Sequence, residues 1–121
     1  MKRTLMQVYV KNSAEAVETY MRAFDGRINC DYRDEKGCCY HTEIDVYGQI
    51  IALSEAPEGT VSGNAMQFCL HFAPEETDKV VKAYDVLKND AEIICPLGRC
   101  DYAETMFSLV DRFGIYWCVF D

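Results

Sequence analysis

In the segment HTEIDV, His41, Glu43 and Asp45 occupy alternate positions. On a strand, where successive side chains point to opposite faces, an imidazole and two carboxylates would therefore share one side, and Thr42, Ile44 and Val46 the other. Such a set could act as a general base or hold a metal ion, while the plain alternative is a solvated strand surface. Cys69 and His71 stand two residues apart in MQFCLHF, again on one face. A neighbouring cation would lower a thiol pKa enough to make Cys69 or Cys118 a nucleophile. Neither cysteine sits in a motif specific to cysteine catalysis, so the competing reading is a small apolar lining residue. His71 could either offer a hydrogen bond to a ligand or be satisfied internally.

The composition restricts what these residues can serve. The chain has 121 residues, half of them hydrophobic, which is enough for one domain with a core of its own. Its net charge of −8, with no lysine- or arginine-rich stripe, opposes binding to a nucleic acid backbone. The first residues are basic and then apolar, but Gln7 and Lys11 interrupt them, and no apolar run reaches the roughly 20 residues of a membrane span. The expectation is a cytoplasmic protein without membrane partners. Seven cysteines, an odd number that includes the adjacent Cys38 and Cys39, argue against a disulfide framework and for reduced, mostly buried thiols.

The elements that must position the candidate residues repeat. Residues 5–10 alternate like a strand and run into Asn12-Ser13, which can accept hydrogen bonds from a helix start. Val17, Tyr20, Met21 and Phe24 then form one helical stripe, and Asp25-Gly26 supplies a left-handed stop. Residues 27–33, 39–47 and 49–55 read as three strands, with RDEKG and Tyr47-Gly48 as reversals. The stretch APEGTVSGN is the most loop-like in the chain, and the order then begins again. Residues 66–72 read as a strand, Pro74 opens a helix with the stripe Val80, Val81, Tyr84 and Leu87 that closes at Asn89-Asp90, and 92–96, 104–111 and 115–120 read as strands. MQVYV matches MQFCL at an offset of 60, and YGQIIAL matches FGIYWCV at an offset of 66. The pattern predicts two βαβββ modules, 1–56 and 65–121, joined by a linker at 57–64 within one domain of residues 1–121. The six-residue difference in offset predicts a longer second helix and loop.

The run YAETMFSLVDRFGIYW, with Tyr102, Asp111, Arg112, Phe113, Gly114 and Trp117, resembles the closing motif of PhnB-like proteins in the glyoxalase/bleomycin resistance/dioxygenase superfamily, also called vicinal oxygen chelate proteins. The helix ending AFDG, the strand HTEIDV and the hairpin YGQIIALSEA are similar to that family as well. The resemblance implies an α+β fold in which two βαβββ modules form a cupped eight-stranded mixed sheet with helices outside. It also implies a homodimer, because cups of this superfamily are commonly completed by a second subunit. Phe107 stands where the family has a small residue and is expected to narrow the cup mouth.

Metal-dependent members carry ligands on the first and last strand of each module. Transferred by strand register, those positions are Leu5, Ala52, Gln67 and Cys118. A leucine and an alanine have no electron pair to give, and two remaining donors fall short of a stable site, so no metal is expected there and no cofactor is implied. The same register puts Leu5, Gln7, Tyr9, Gln67, Cys69 and His71 toward the cup, with Met6, Val8, Val10, Phe68, Leu70 and Phe72 in the core. Tyr9, Tyr102, Tyr116 and Phe120 would provide aromatic walls for an unknown small molecule. Three functions remain: a small-molecule-binding protein without the usual metal, a lyase, isomerase or dioxygenase-like enzyme using His41, Glu43, Asp45 or Cys69, and a non-catalytic structural or interaction dimer.

Overall fold

A computed structural model describes all 121 residues, which divide into two compact units, Met1–Val61 and Ser62–Asp121. The break falls inside the loop-like stretch. In the first unit, β1 (Met6–Val10) leads into α1 (Ser13–Ala23), followed by β2 (Arg27–Arg33), β3 (Cys39–Val46) and β4 (Gln49–Glu55). In the second, β5 (Phe68–His71) leads through a 3₁₀ turn at Pro74–Glu76 into α2 (Thr77–Leu87), then β6 (Glu92–Gly98), β7 (Met106–Val110) and β8 (Tyr116–Phe120). The strand orders are β1-β4-β3-β2 and β5-β8-β7-β6, so the two sheets share one topology. In each, the first strand runs parallel to the fourth and the other pairings are antiparallel. The α+β architecture of two βαβββ modules is thus present as two four-stranded mixed sheets.

Register corrects the offset between the copies. Met6 pairs with Ile51, as Phe68 pairs with Trp117. Met6 therefore corresponds to Phe68 rather than to Met66. The MQVYV and MQFCL match is slipped by two residues, a slip that period-two alternation conceals because it leaves every side chain on its own face. The helices also correct an expectation: α1 and α2 have 11 residues each, and the added turn of the second unit is the 3₁₀ turn that precedes α2.

Each sheet buries one face under its helix. Val8, Val10, Ile51, Leu53, Ile44 and Thr42 lie against the side of the first sheet covered by Ala16, Val17, Tyr20, Ala23 and Phe24, all buried. In the second unit, Val80, Ala83 and Leu87 are the buried residues of α2, whereas Val81 is exposed. Phe107 is fully buried, its ring centroid 5.2 Å from that of Tyr84 on α2. The expectation that Phe107 narrows a cup mouth is therefore wrong: Leu109, two residues on, shares its face and pairs with the buried Trp117 in the core.

Helix α1 is started by a carboxylate from another element, not by Asn12. Asn12 is left-handed, with φ of 58°, and its side chain makes no cap. Glu55, at the end of β4, instead accepts from the Asn12 and Ser13 amides (3.1 and 3.0 Å) and from the Ser13 hydroxyl (2.8 Å). A negative charge is favoured there by the open amides and the helix dipole. Burial works against ionisation of Glu55, but the bonds from Ser13 outweigh it and keep its pKa below the ordinary value. The second unit keeps only the hydroxyl bond: Asp121 follows β8 and accepts from the hydroxyl of Thr77, the first residue of α2, at 2.6 Å, while its amide donor is Thr105. At the other end of α1, Asp25 rather than Gly26 takes the left-handed conformation, with φ of 50°.

Candidate functional site

The face of the first sheet turned away from α1 carries one buried charge. Cross-strand pairing sets Gln7, Ala52, Glu43 and Cys30 in a row across β1, β4, β3 and β2. Two residues farther along β1, Tyr9 pairs with Ser54, and across the sheet Tyr32 pairs with His41. Glu43 is only 2% exposed. Arg3 grips it with two nitrogens, Nη1 to Oε2 at 3.1 Å and Nη2 to Oε1 at 2.7 Å. Asn29 donates to Oε2 at 2.7 Å, and His41 Nε2 lies 2.9 Å from Oε1. The Arg3 bonds, followed by the His41 bond, pull the Glu43 pKa down from 4.5 to about 2, against the burial that would raise it, with Asn29 assisting. An ionised carboxylate can only accept, so His41 presents Nε2–H to it. Held this far down, Glu43 is a poor proton acceptor at neutral pH and instead orients its three donors.

The His41, Glu43 and Asp45 set divides. His41 and Glu43 share the network, but Asp45 accepts from the Gly48 amide at 2.7 Å and closes the β3–β4 hairpin, whose Tyr47 and Gly48 have φ of 51° and 87°. Two central residues of positive φ are what a tight type I′ reversal requires. Gln7 donates to the Ser54 hydroxyl at 3.2 Å, while Tyr9 and Tyr32 are 54% and 62% exposed beside it. Leu5 precedes β1, and Ala52 is fully buried.

Three residues around Glu43, namely Arg3, Asn29 and Cys30, the cross-strand partner of Glu43, were not among those singled out from sequence. Arg3 lies before β1, where strand alternation does not apply, so period-two patterning gave no signal for it. Asn29 and Cys30 defeat the alternation because β2 is irregular between Ile28 and Cys30, and both face Glu43 across that bulge.

The equivalent row of the second sheet is Cys69, Cys118, Ser108 and Cys95. Beside it lie His71, Phe120, Met106 and Gly98. The His71 ring stacks on Phe120 at 4.4 Å, and Tyr102, 63% exposed, meets Phe120 edge-on at 5.3 Å. Tyr116 is partly buried on β8, and Gln67 is exposed just before β5. Cys69 is exposed and Cys118 buried, and all seven cysteines are free. Burial first, then the Cys69 thiol, pushes the Cys118 pKa up to about 11. A thiol so raised is almost wholly protonated at neutral pH, which opposes the nucleophilic role considered for Cys118.

The C-terminal motif has a different job. Asp111 accepts from the amides of Phe113 and Ile115 at 2.9 and 3.0 Å and from the buried Trp117 indole at 2.8 Å. Gly114, with φ of 86°, completes the reversal. Residues 3–119 match the Glyoxalase/Bleomycin resistance protein/Dioxygenase superfamily. The chain belongs to that superfamily. Its DRFG and tryptophan signature is thus a folding device that ties the β7–β8 hairpin to the core. A search of curated proteins finds no match.

Solved structures with the same fold include a PhnB protein from Bacillus cereus described as a putative 3-demethylubiquinone-9 3-methyltransferase, at 21% identity and a TM-score of 0.81, covering 99% of this chain and 98% of that one. Protein PA1353 from Pseudomonas aeruginosa matches at 17% identity and 0.79, covering 99% and 97%. The fosfomycin resistance protein FosX from Listeria monocytogenes matches at 11% identity and 0.71, covering 98% and 91%. At these identities the likeness shows the fold. Leu5 and Ala52, at two of the positions to which the family resemblance assigns a metal, have no side-chain donor atom and do not fit one there.

Proposed function

We propose that this chain binds a small polar molecule on the first unit's helix-free sheet face, without the metal usual at the superfamily's ligand positions, and acts as a cytoplasmic homodimer. The observation that carries the reading is the buried Glu43 carboxylate, whose oxygens accept from Arg3, Asn29 and His41. Taking that charge out of water costs desolvation, which the bonds from Arg3, Asn29 and His41 offset, and it leaves those side chains fixed on the sheet face. It holds the Arg3 and His41 side chains in place, and the nearby Gln7, Tyr9 and Tyr32 add an amide and two phenols. This collection of donors beside exposed aromatic rings suits a small ligand rich in acceptor oxygens. No helix of the structure is long and apolar enough to cross a membrane.

A second reading is an enzyme that uses the same face. The bond between His41 and Glu43 favours it, because a histidine oriented by a carboxylate is a common acid–base arrangement. Cys118, with its raised pKa, is not part of it.

The test is a thermal-shift and calorimetric screen of chelator-treated protein against small carboxylates, phosphates and phosphonates, repeated with Gln7→Ala and Tyr9→Phe. Saturable binding that survives chelation and weakens in Gln7→Ala supports the reading. Binding untouched by both substitutions, or a stoichiometric metal bound by residues 5, 52, 67 and 118, overturns it.

A further inference from the structure

We propose that Cys30, His41 and Glu43 form a site for a divalent transition metal of the zinc type, built within the first unit and away from the superfamily's usual ligand positions. One ligand atom from each, a thiol sulfur, an imidazole nitrogen and a carboxylate oxygen, lies within 4.8 Å of the other two. In a zinc site, metal–ligand distances of about 2.0–2.3 Å put tetrahedral ligand atoms roughly 3–4 Å apart, so the cluster needs only small side-chain adjustments to close on an ion. The donor set is chemically selective. A thiolate and an imidazole favour zinc or cobalt over magnesium or calcium, which prefer all-oxygen sites. Three protein ligands also leave the fourth tetrahedral position for water or an added molecule.

The surroundings fit a metal centre as well. The β2 bulge turns both Asn29 and Cys30 toward Glu43, so the same backbone irregularity that supplies the sulfur also supplies an outer partner for the carboxylate. Asn29 Nδ2 and Arg3 Nη1 both bond Oε2, while Oε1 accepts from His41 and from the second Arg3 nitrogen, Nη2. An ion at Oε1 and His41 Nε2 would retain Asn29 and Arg3 as the hydrogen-bonding shell that ligating carboxylates usually have. The Arg3 side chain is 51% exposed, so its second nitrogen can leave Oε1 for water rather than for an unpaired buried state.

This site lies on the face proposed for the small molecule and shares His41 and Glu43 with that reading, but it does not depend on that molecule. The experiment uses zinc alone, titrated into the chelator-treated full chain against a chromophoric competitor, followed by cobalt substitution. The expected result is one zinc per chain and a cobalt spectrum with a thiolate charge-transfer band. Cys30→Ser should remove that band, and both Cys30→Ser and His41→Ala should weaken zinc by about 100-fold or more, with Asn29→Ala costing about tenfold as an outer partner. Cys38→Ser should bind as the unaltered chain does. Less than one equivalent of zinc, a cobalt spectrum without the thiolate band, or Cys30→Ser binding at full affinity would overturn the proposal. Failure of the small-molecule screen alongside intact zinc binding would separate the two readings.

Discussion

The two units use one topology, each with an irregular strand after its helix (between Ile28 and Cys30, and between Ile93 and Cys95) and a carboxylate bonded to a hydroxyl at its helix start, yet their helix-free faces have become chemically opposite. Where the first unit has Gln7, Ala52, Glu43 and Cys30 in a row, the second has Cys69, Cys118, Ser108 and Cys95. The neighbouring His41 corresponds to Met106, and Ser54 to Phe120. One face is organised by a buried charge, the other by thiols, a thioether and stacked rings. Duplication preserved what the backbone needs, namely the packed helix face and the carboxylates at the helix starts, and left the opposite face free to diverge. Function in such a fold is carried by the row of side chains, not by the architecture.

The largest effect should come from the shared packing layer. Trp117→Ala removes a fully buried indole and leaves the Asp111 oxygen that accepted its N–H without that partner. A loss of about 3–5 kcal/mol is expected in urea unfolding, and the corresponding β4 substitution, Ile51→Ala, should cost about 2–5 kcal/mol. Next in size is the row that separates the units. Glu43→Ala strips partners from Arg3, Asn29 and His41 and should cost about 2 kcal/mol, whereas Ser108→Ala at the equivalent place should stay within about 1 kcal/mol. Equal costs at these two positions would remove the basis for treating the faces as different.

The helix caps should respond alike. Ser13→Ala and Thr77→Ala each delete a hydroxyl bonded to a carboxylate, Glu55 at the end of β4 or Asp121 just after β8, and about 1 kcal/mol is expected for each. A large asymmetry would mean that the device is not shared.

Titration sharpens the contrast further. The folded Glu43 pKa of about 2 lies below its ordinary 4.5, so the unfolded chain takes up this proton first as the pH falls. The stabilisation from Glu43 is therefore full above about pH 5 and is lost as the pH drops toward 2. Glu43→Gln should flatten that part of the acid-unfolding curve. Cys118 has the opposite sense: its folded pKa of about 11 lies above the ordinary 9.0, so its contribution is full below about pH 9 and fades as the pH rises toward 11. At pH 8, its alkylation in the folded chain should be about 100-fold slower than in the unfolded chain from the pKa difference alone.

Much of this was legible from residue types and their spacing. Element order, the parity of β1 and β5 and the polar alternation of β3 all follow from period-two patterning. Legibility failed wherever parity or locality failed. Asn29 and Cys30 lie at a bulge, which alternation cannot anticipate. Glu55 caps a helix more than 40 residues before it in the chain, so Asn12 looked like the cap because only neighbours can be read locally. Phe107 was placed by analogy with the family, and strand parity with Leu109 would have put it correctly in the core. Asp45 looked identical to His41 and Glu43 in alternation, but its proximity to Gly48 made it part of a turn.

The central claim is that binding chemistry resides on the charged face of the first unit. Amide and side-chain NMR shifts of chelator-treated, isotope-labelled protein, recorded with the tightest small carboxylate or phosphonate from the screen, test it most directly. The account predicts saturable shifts concentrated at Gln7, Asn29, His41 and Ser54. Shifts confined to Cys69, Met106, Cys118 and Phe120 would contradict it.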